Sequence, residues 1–283
     1  MRWRAGGVLA PALTLALAAT SPANASWVGE LQTGVTGDDN VNRARRGVDA
    51  RSDGAATFSG FAGGRLQLST NGSLTILGTL GAAAFDRFDG LDHVTPGGSI
   101  AYTVKTRMGA GAPWIQVGAS AARDDLRDAA RDGWLYQGRV RGGWQAGAAV
   151  NLTAEGSWSR RTADADAFEQ RSTALSLRAD AAPWRRIALH GSYEIRRGDV
   201  TSSSPKDPEA RAAAKTLLPD AVFGPGFVAY RLEATSHDLK VGLNVAAGRH
   251  ASFDVSVERI LALATAGLDY TIDRAQGIFL YRF

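Results

Sequence analysis

The sequence predicts an all-β chain, folded as a transmembrane, antiparallel up-and-down β-barrel of twelve strands with a short helix in one long extracellular loop. Three observations lead there. In Gly133 to Gly147 the even positions include Trp134, Tyr136, Val140 and Trp144, while the odd positions include Gln137, Arg139, Arg141 and Gln145. Only an extended strand separates residues this way. Trp134 and Trp144 are ten residues apart, which at about 3.3 Å per residue and a tilt of about 40–45° is roughly 24 Å along a barrel axis. That matches the ~25 Å apolar band of a membrane-spanning barrel with an aromatic girdle at each edge. Finally, no apolar stretch after residue 25 is long enough for a helical span, so a chain of this kind crosses a membrane only as a closed barrel.

Residues 1–25 carry Arg2 and Arg4, then the apolar run Val8 to Ala19, then Ala23-Asn24-Ala25 before Ser26. A basic head, a short apolar core and an A-x-A end describe a secretory signal peptide, leaving 26–283 as one barrel domain. Its removal takes two arginines from the 32 basic residues and none of the 28 acidic ones, for a net charge of +2. That balance gives no argument for nucleic acid as a partner. The sequence contains no cysteine, which excludes a disulfide framework and thiolate metal sites.

The strands follow in order. Ser26 to Gly37 sets Trp27, Leu31 and Val35 against Glu30, Gln32 and Thr36. Thr57 to Ser69 sets Phe58, Leu66 and Leu68 against Arg65 and Gln67, and an Asn71-Gly72 hairpin turn joins it to Ser73–Phe85. Ser99–Met108 has Ile100, Tyr102 and Val104 opposite Thr103, Lys105 and Arg107; Trp114–Arg123 and the template strand come next. The segments 148–160, 170–181, 187–197, 238–245, 252–263 and 268–283 alternate likewise and complete twelve. Connections around Asn71, Gly111, Ala146, Pro183 and Gly248 are short. Those at 38–56, 86–98, 124–132, 161–169 and 198–236 are longer, and 264–267 is brief, as a barrel with both termini in the periplasm requires. Six of the seven tryptophans lie in the barrel domain, and all six are assigned to the girdles: Trp27, Trp114, Trp144 and Trp184 at the short-turn end, Trp134 and Trp158 toward the long loops.

Three places break the alternation. Leu268, Tyr270 and Ile272 have the opposite parity from Phe279, Tyr281 and Phe283, which predicts a bulge near Arg274 to Gln276. Tyr230 and Leu232 are out of phase with Leu239, Val241 and Leu243, so the tenth strand has a bulge or begins late. Arg259 falls on the lipid face, where a midplane charge costs about 2–4 kcal/mol, so it belongs at the outer interface or at another bulge. The chain ends Gly277-Ile278-Phe279-Leu280-Tyr281-Arg282-Phe283. This resembles the C-terminal signal by which bacterial outer-membrane barrels are handed to their assembly machinery, with the glycine one place further from the end. The resemblance implies the outer membrane of a Gram-negative cell, its lipid, and that machinery as partners.

The lumen is the only interior chemistry available. Alternation turns Arg65, Lys105, Arg107, Arg139, Arg141, Arg178, Arg196 and Lys240 inward against Glu155, Asp180, Glu194, Asp254 and Glu258. A twelve-strand barrel has a backbone radius of about 12 Å, room for a narrow channel lined by side chains. Either Lys105, Arg107, Arg139, Arg141, Arg178 and Arg65 form a basic wall that favours anions, or the arginines pair with the acids and fill the lumen. In strand number and charge the chain is similar to the twelve-stranded porins for acidic oligosaccharides, but none of their sequence motifs is present.

His190-Gly191-Ser192-Tyr193-Glu194 places a histidine, a serine and an acid on one strand face. The His-x-Ser pair resembles that of a lipid A deacylase family, but it is predicted to face the lumen, whereas a lipid reaches the outer wall. Gly37-Asp38-Asp39-Asn40-Val41-Asn42-Arg43-Ala44 resembles the first hairpin of proteobacterial barrels such as those of surface lipoprotein assembly modifiers. Its spacing is not that of an EF-hand, and a turn held by side-chain to backbone hydrogen bonds is expected, with no metal or cofactor. In the 198–236 loop, Asp207 to Pro219 has a capping aspartate, a proline at the first helical position and a proline stop, predicting an eleven-residue helix. It is expected at the mouth or folded inward, with Leu217 and Leu218 on the wall and Arg211 and Lys215 facing solute. The sequence therefore points to a non-enzymatic, narrow passive channel for small solutes, anion-preferring if the basic wall stays unneutralised. A barrel for surface interaction or export assistance is the alternative, and a lipid hydrolase a distant one.

Overall fold

The computed structural model describes residues 25–283 except 46, 108, 110 and 148, so residues 1–24 of the expected signal peptide lie outside the described residues, while its last residue, Ala25, opens the first strand. Twelve long strands close into a barrel: β1 (Ala25–Asp38), β2 (Asp53–Gln67), β3 (Gly72–Phe85), β4 (His93–Lys105), β5 (Trp114–Leu126), β6 (Gly133–Ala146), β7 (Val150–Arg161), β8 (Gln170–Trp184), β9 (Ile187–Pro205), β11 (Phe227–Ala246), β12 (Ala251–Ala264) and β13 (Tyr270–Arg282). A helix, α1 (Pro208–Ala213), and a four-residue strand, β10 (Thr216–Pro219), lie between β9 and β11. All neighbours are antiparallel, and β13 pairs with β1 to complete the ring.

Alternation sets the outer wall. Leu31, Val35, Ile76, Ile100, Val117, Val140, Leu175, Leu177, Leu239, Val241 and Val255 are exposed in the absence of lipid, which is the band a bilayer covers. Trp27, Trp134, Trp144, Trp158 and Trp184 are exposed with them. Trp114 is a correction to the girdle assignment. It shares parity with Gln116 and pairs with Lys105 and Gly143 on the inner face, while Ile115 and Val117 point to lipid. Gly143 is required there, because a Cβ would overlap the Trp114 indole. A register shift between Ala181 and Trp184 turns Trp184 outward.

No bulge occurs at Arg274 to Gln276. The β12–β13 and β13–β1 registers run without a break. Tyr270 and Ile272 instead keep the inward parity of Arg274 and are buried with Ala262. Tyr230 and Leu232 likewise point inward and pack with Ala210, Ala234, Ala264 and Leu268. The apolar residues that looked out of phase therefore line an interior core at the long-loop end. Arg259 stays on the outer face and pairs with Asp273 at 2.7 Å, level with the end of β1.

All but one of the outer connections are shorter than expected because the strands run on past the apolar band; the last, 265–269, is one residue longer. Three of them share a device: Asp92, Asp132 and Asp269 each accept the backbone N–H at the end of the preceding strand, from Phe85, Leu126 and Ala264 respectively. The largest revision concerns 198–236. It is not a loop: β9 and β11 stay paired from Ile187↔Val245 to Pro205↔Phe227. The helix is also shorter than expected, with six residues capped by the Asp207 carboxylate, and the chain then turns into β10. Leu218 packs against Ala167 and Phe168 of the β7–β8 connection and against Ala229, and not on the barrel wall as expected, while Leu217 is exposed.

Candidate functional site

The β9–β11 hairpin leaves the wall at Gly198 and Ala234, which are register partners. Gly198 has φ +155, and a Cβ there would collide with the Arg171 carbonyl, so glycine is required where the hairpin bends. Beyond it, seven further residue pairs, Asp199↔Glu233 to Pro205↔Phe227, carry the hairpin over the mouth.

This lid touches every other outer connection. Ser203 and Asn42 exchange hydrogen bonds, and Ser202 donates to the Arg43 carbonyl. Phe223 meets Phe88 edge-on at 5.0 Å. Arg131 donates to Asp220 at 2.6 Å and lies 4.0 Å from the Phe168 ring centroid. Thr201 donates to the Ala167 carbonyl, and Thr265 to the Glu233 carbonyl. At its base, Asp199 binds Arg231 at 2.9 Å and Lys215 at 2.7 Å, so Lys215 is tied down rather than free for solute.

Beneath the lid is a chamber of about 540 Å³, reached by Arg43, Arg131, Arg161 and Arg274 and by Asp38, Asp53 and Asp124. Arg274 bridges Asp38 and Glu258, each at 3.0 Å, and Arg161 lies 3.2 Å from Asp124. Arg43 has no acidic partner among the described residues. It holds φ +57, a conformation that costs a non-glycine residue about 1 kcal/mol or more. The Asn40 and Asn42 side chains fix it by bonding the Ala44 amide and carbonyl, the Arg51 amide and the Asp49 carbonyl. The Gly37–Ala44 stretch is thus the hydrogen-bonded turn expected of it. None of the four chamber arginines was among the expected site residues. The parity of Arg161 with Ser157 and Ser159, and of Arg274 with Gln276, was the available signal.

The expected basic wall divides in two. Arg141 is 2.6 Å from Glu155, Arg178 is 2.6 Å from Asp180 and Arg196 is 2.8 Å from Glu194, while Lys240 donates to Gln276. Those side chains follow the pairing alternative. Arg65, Lys105, Arg107 and Arg139 carry no acid partner among the described residues. Arg65, Lys105 and Arg107 surround a cavity of about 360 Å³ at the short-turn end with Gln67, Asn71, Ser73 and Thr103 and no carboxylate. Arg139 lies on the inner wall beside Gly118. Ser59, Thr75, Ser99, Ser120 and Ser157 share that inner face with the larger Trp114, Gln116, Arg139 and Arg141.

His190 faces the lumen, where its Nε2 lies 2.9 Å from Asp254. Ser192 pairs with Arg178 and Lys240, and Glu194 is engaged by Arg196. These contacts do not link the three residues as a nucleophile, a base and an orienting acid, which catalysis of that type needs.

No family model matches the chain, and no curated protein matches its sequence. Among solved structures, an outer membrane channel from Pseudomonas putida F1 superposes with a TM-score of 0.54 at 12% identity, over 93% of this chain and 97% of the other. The NanC porin gives 0.46 at 7% identity, covering 89% of this chain and 100% of the other. The KdgM porin in complex with disordered oligogalacturonate gives 0.45 at 9% identity, with 90% and 99% covered. At 12% identity the likeness to the Pseudomonas putida channel concerns the fold alone, a closed antiparallel up-and-down β-barrel.

Proposed function

We propose that the chain forms a passive outer-membrane channel for small anionic solutes, with its extracellular mouth closed by the β9–β11 lid at rest. The observation that carries this reading is the run of unneutralised bases Arg65, Lys105, Arg107 and Arg139 along the inner face of β2 to β6. Such a wall raises the local concentration of anions and tunes selectivity without holding the fold together. Arg43, strained and unpaired at the chamber, supports the same reading at the other end of the path. Residues 1–25 serve as the export signal, and the outward aromatics Phe279, Tyr281 and Phe283 as the signal to the assembly machinery.

Changing Arg65, Lys105, Arg107 and Arg139 together to glutamine tests it. Reversal potential across a planar bilayer in a salt gradient is expected to move from the anion side toward the cation side, with heat-modifiable migration retained. No movement would remove the anion preference. The closed mouth is the one feature that favours the other class, a barrel for surface interaction. A wild-type barrel that shows no conductance steps even when the lid is cut away would establish that reading instead.

A further inference from the structure

We infer that the outer wall carries a binding site for a phosphate-bearing lipid of the outer leaflet, built from Arg160 on β7, Arg171 on β8 and Arg197 on β9. All three are exposed and share the lipid-facing parity of Trp158, Leu175 and Leu177. Arg160 and Arg171 are direct register partners, so two like charges sit with their Cβ atoms about 5 Å apart, a pairing that is unfavourable with nothing between them. Arg197 lies one row lower, opposite Thr173, which in turn pairs with Trp158.

The neighbouring outward arginines are neutralised. Arg123 has Asp125 at 2.9 Å, Arg127 has Asp89 at 3.1 Å and Arg259 has Asp273 at 2.7 Å. Among the described residues no carboxylate is within ion-pair distance of Arg160 or Arg171, and Glu233 stands off at 3.8 Å from Arg197. Arg160 and Arg171 therefore lack the compensation that Arg123, Arg127 and Arg259 have, and Arg197 has only its longer contact with Glu233.

Position identifies the missing anion. Trp158 and the stacked Trp134–Tyr136 pair mark the level of the membrane interface, and Tyr136 is the register partner of Arg160. A group bound here has its charge at headgroup height and its apolar tail on Leu175, Leu177 and Ile195 below. Guanidinium forks match phosphate oxygens bidentately, and a phosphate carries enough charge to offset two of them.

The full barrel, purified in detergent, is titrated with diphosphorylated lipid A, with the same lipid after phosphate removal, and with phosphatidylcholine, using native mass spectrometry to count bound lipid. Wild type is expected to prefer the diphosphorylated lipid. Arg160→Gln/Arg171→Gln/Arg197→Gln weakens that binding about 100-fold, at roughly one surface basic contact per arginine. Arg123→Gln, at a neutralised arginine, binds as wild type. In lipid-free detergent the triple variant unfolds at an unchanged or higher temperature, since a repulsive pair has been removed. Equal binding of both lipid A forms by wild type, undiminished binding by the triple variant, or a lower unfolding temperature would each overturn the assignment.

Discussion

Replacing Asp220 with alanine tests whether the lid is what closes the barrel. The Asp220 side chain is 0% exposed and that of Arg131 13%. Asp220 accepts hydrogen bonds from Arg131 and from Ser203, so it ties the lid to the β5–β6 connection and to itself. Removing one partner of a buried ion pair costs about 3–5 kcal/mol, because the other is left uncompensated. Arg131 retains Asp128 at 3.1 Å, which places the loss at the lower bound, about 3 kcal/mol. If the open form of the wild type is populated at about 0.1%, an equilibrium shift of about 100-fold brings it to roughly one tenth. The side-chain partners of both residues lie in the lid and the outer connections, so strand closure is unaffected. Single-channel recording should show a large rise in open probability with the step conductance of the fully open pore, and heat-modifiable migration should be retained. Replacing residues 206–226 with a two-residue Asn-Gly turn, which also removes Asp220, should raise open probability at least as far. An unchanged open probability in Asp220→Ala, with the barrel intact, would refute the argument that this contact holds the mouth shut.

Other predictions bear on the wall, the rim and pH. Cysteines introduced at Asp89 and Arg127 should be labelled from outside intact cells and one at Gly111 should not; labelling of Gly111 alone would invert the topology. Gly143→Ala should displace Trp114 from the inner wall and lower stability by about 1–3 kcal/mol in urea unfolding from vesicles, and an unchanged midpoint would place the indole elsewhere. Burial pushes the Asp199 carboxyl up, yet hydrogen bonds from Lys215 and Arg231, with their charges, hold it below the usual carboxylate range. Its stabilisation is therefore present above the unfolded value of about 3.9 and lost as pH falls through the lower folded one. The β9–β11 hairpin above the bend should therefore lose protection from amide hydrogen exchange only below about pH 4, and Asp199→Asn should remove that step.

Strand number, order and facing were legible because lipid contact imposes a two-residue period on every strand. The same rule misled at Leu268, Tyr270, Ile272, Tyr230 and Leu232, since an apolar residue was taken as lipid-facing and a break in parity as a bulge. These residues keep parity and meet a lid, which is a tertiary fact. Trp114 could have been placed from its own neighbours, because Ile115 and Val117 already fixed the outward set. The pairs Arg178–Asp180 and Arg196–Glu194 are two residues apart on one strand, and so were readable. Arg141–Glu155 depends on the register between β6 and β7, which the sequence does not state. The four chamber arginines needed the longer strands and the folded first connection before they came together.

The way the lid is built determines how the mouth can open. Seven residue pairs join its two strands above the bend, so unzipping it would leave a row of backbone groups unpaired in the mouth, each costing about 1–3 kcal/mol. The contacts that hold it down are of another kind: the ion pairs Asp220–Arg131 and Arg231–Glu169, a few hydrogen bonds, and small apolar clusters around Leu232 and Phe168. Among the described residues only one of these, Ser203 N–H to the Asn42 carbonyl, joins backbone to backbone, so lifting the lid breaks far fewer such bonds than unzipping its seven pairs. The least costly opening therefore keeps the hairpin intact and swings it about Gly198 and Ala234, carrying α1 and β10 along. Such a flap moves Ser202 and Ser203 away from Asn42 and Arg43 in the same step. It thereby exposes the strained Arg43 to incoming solute when the chamber opens, which makes the first connection part of the entry site and not only a latch.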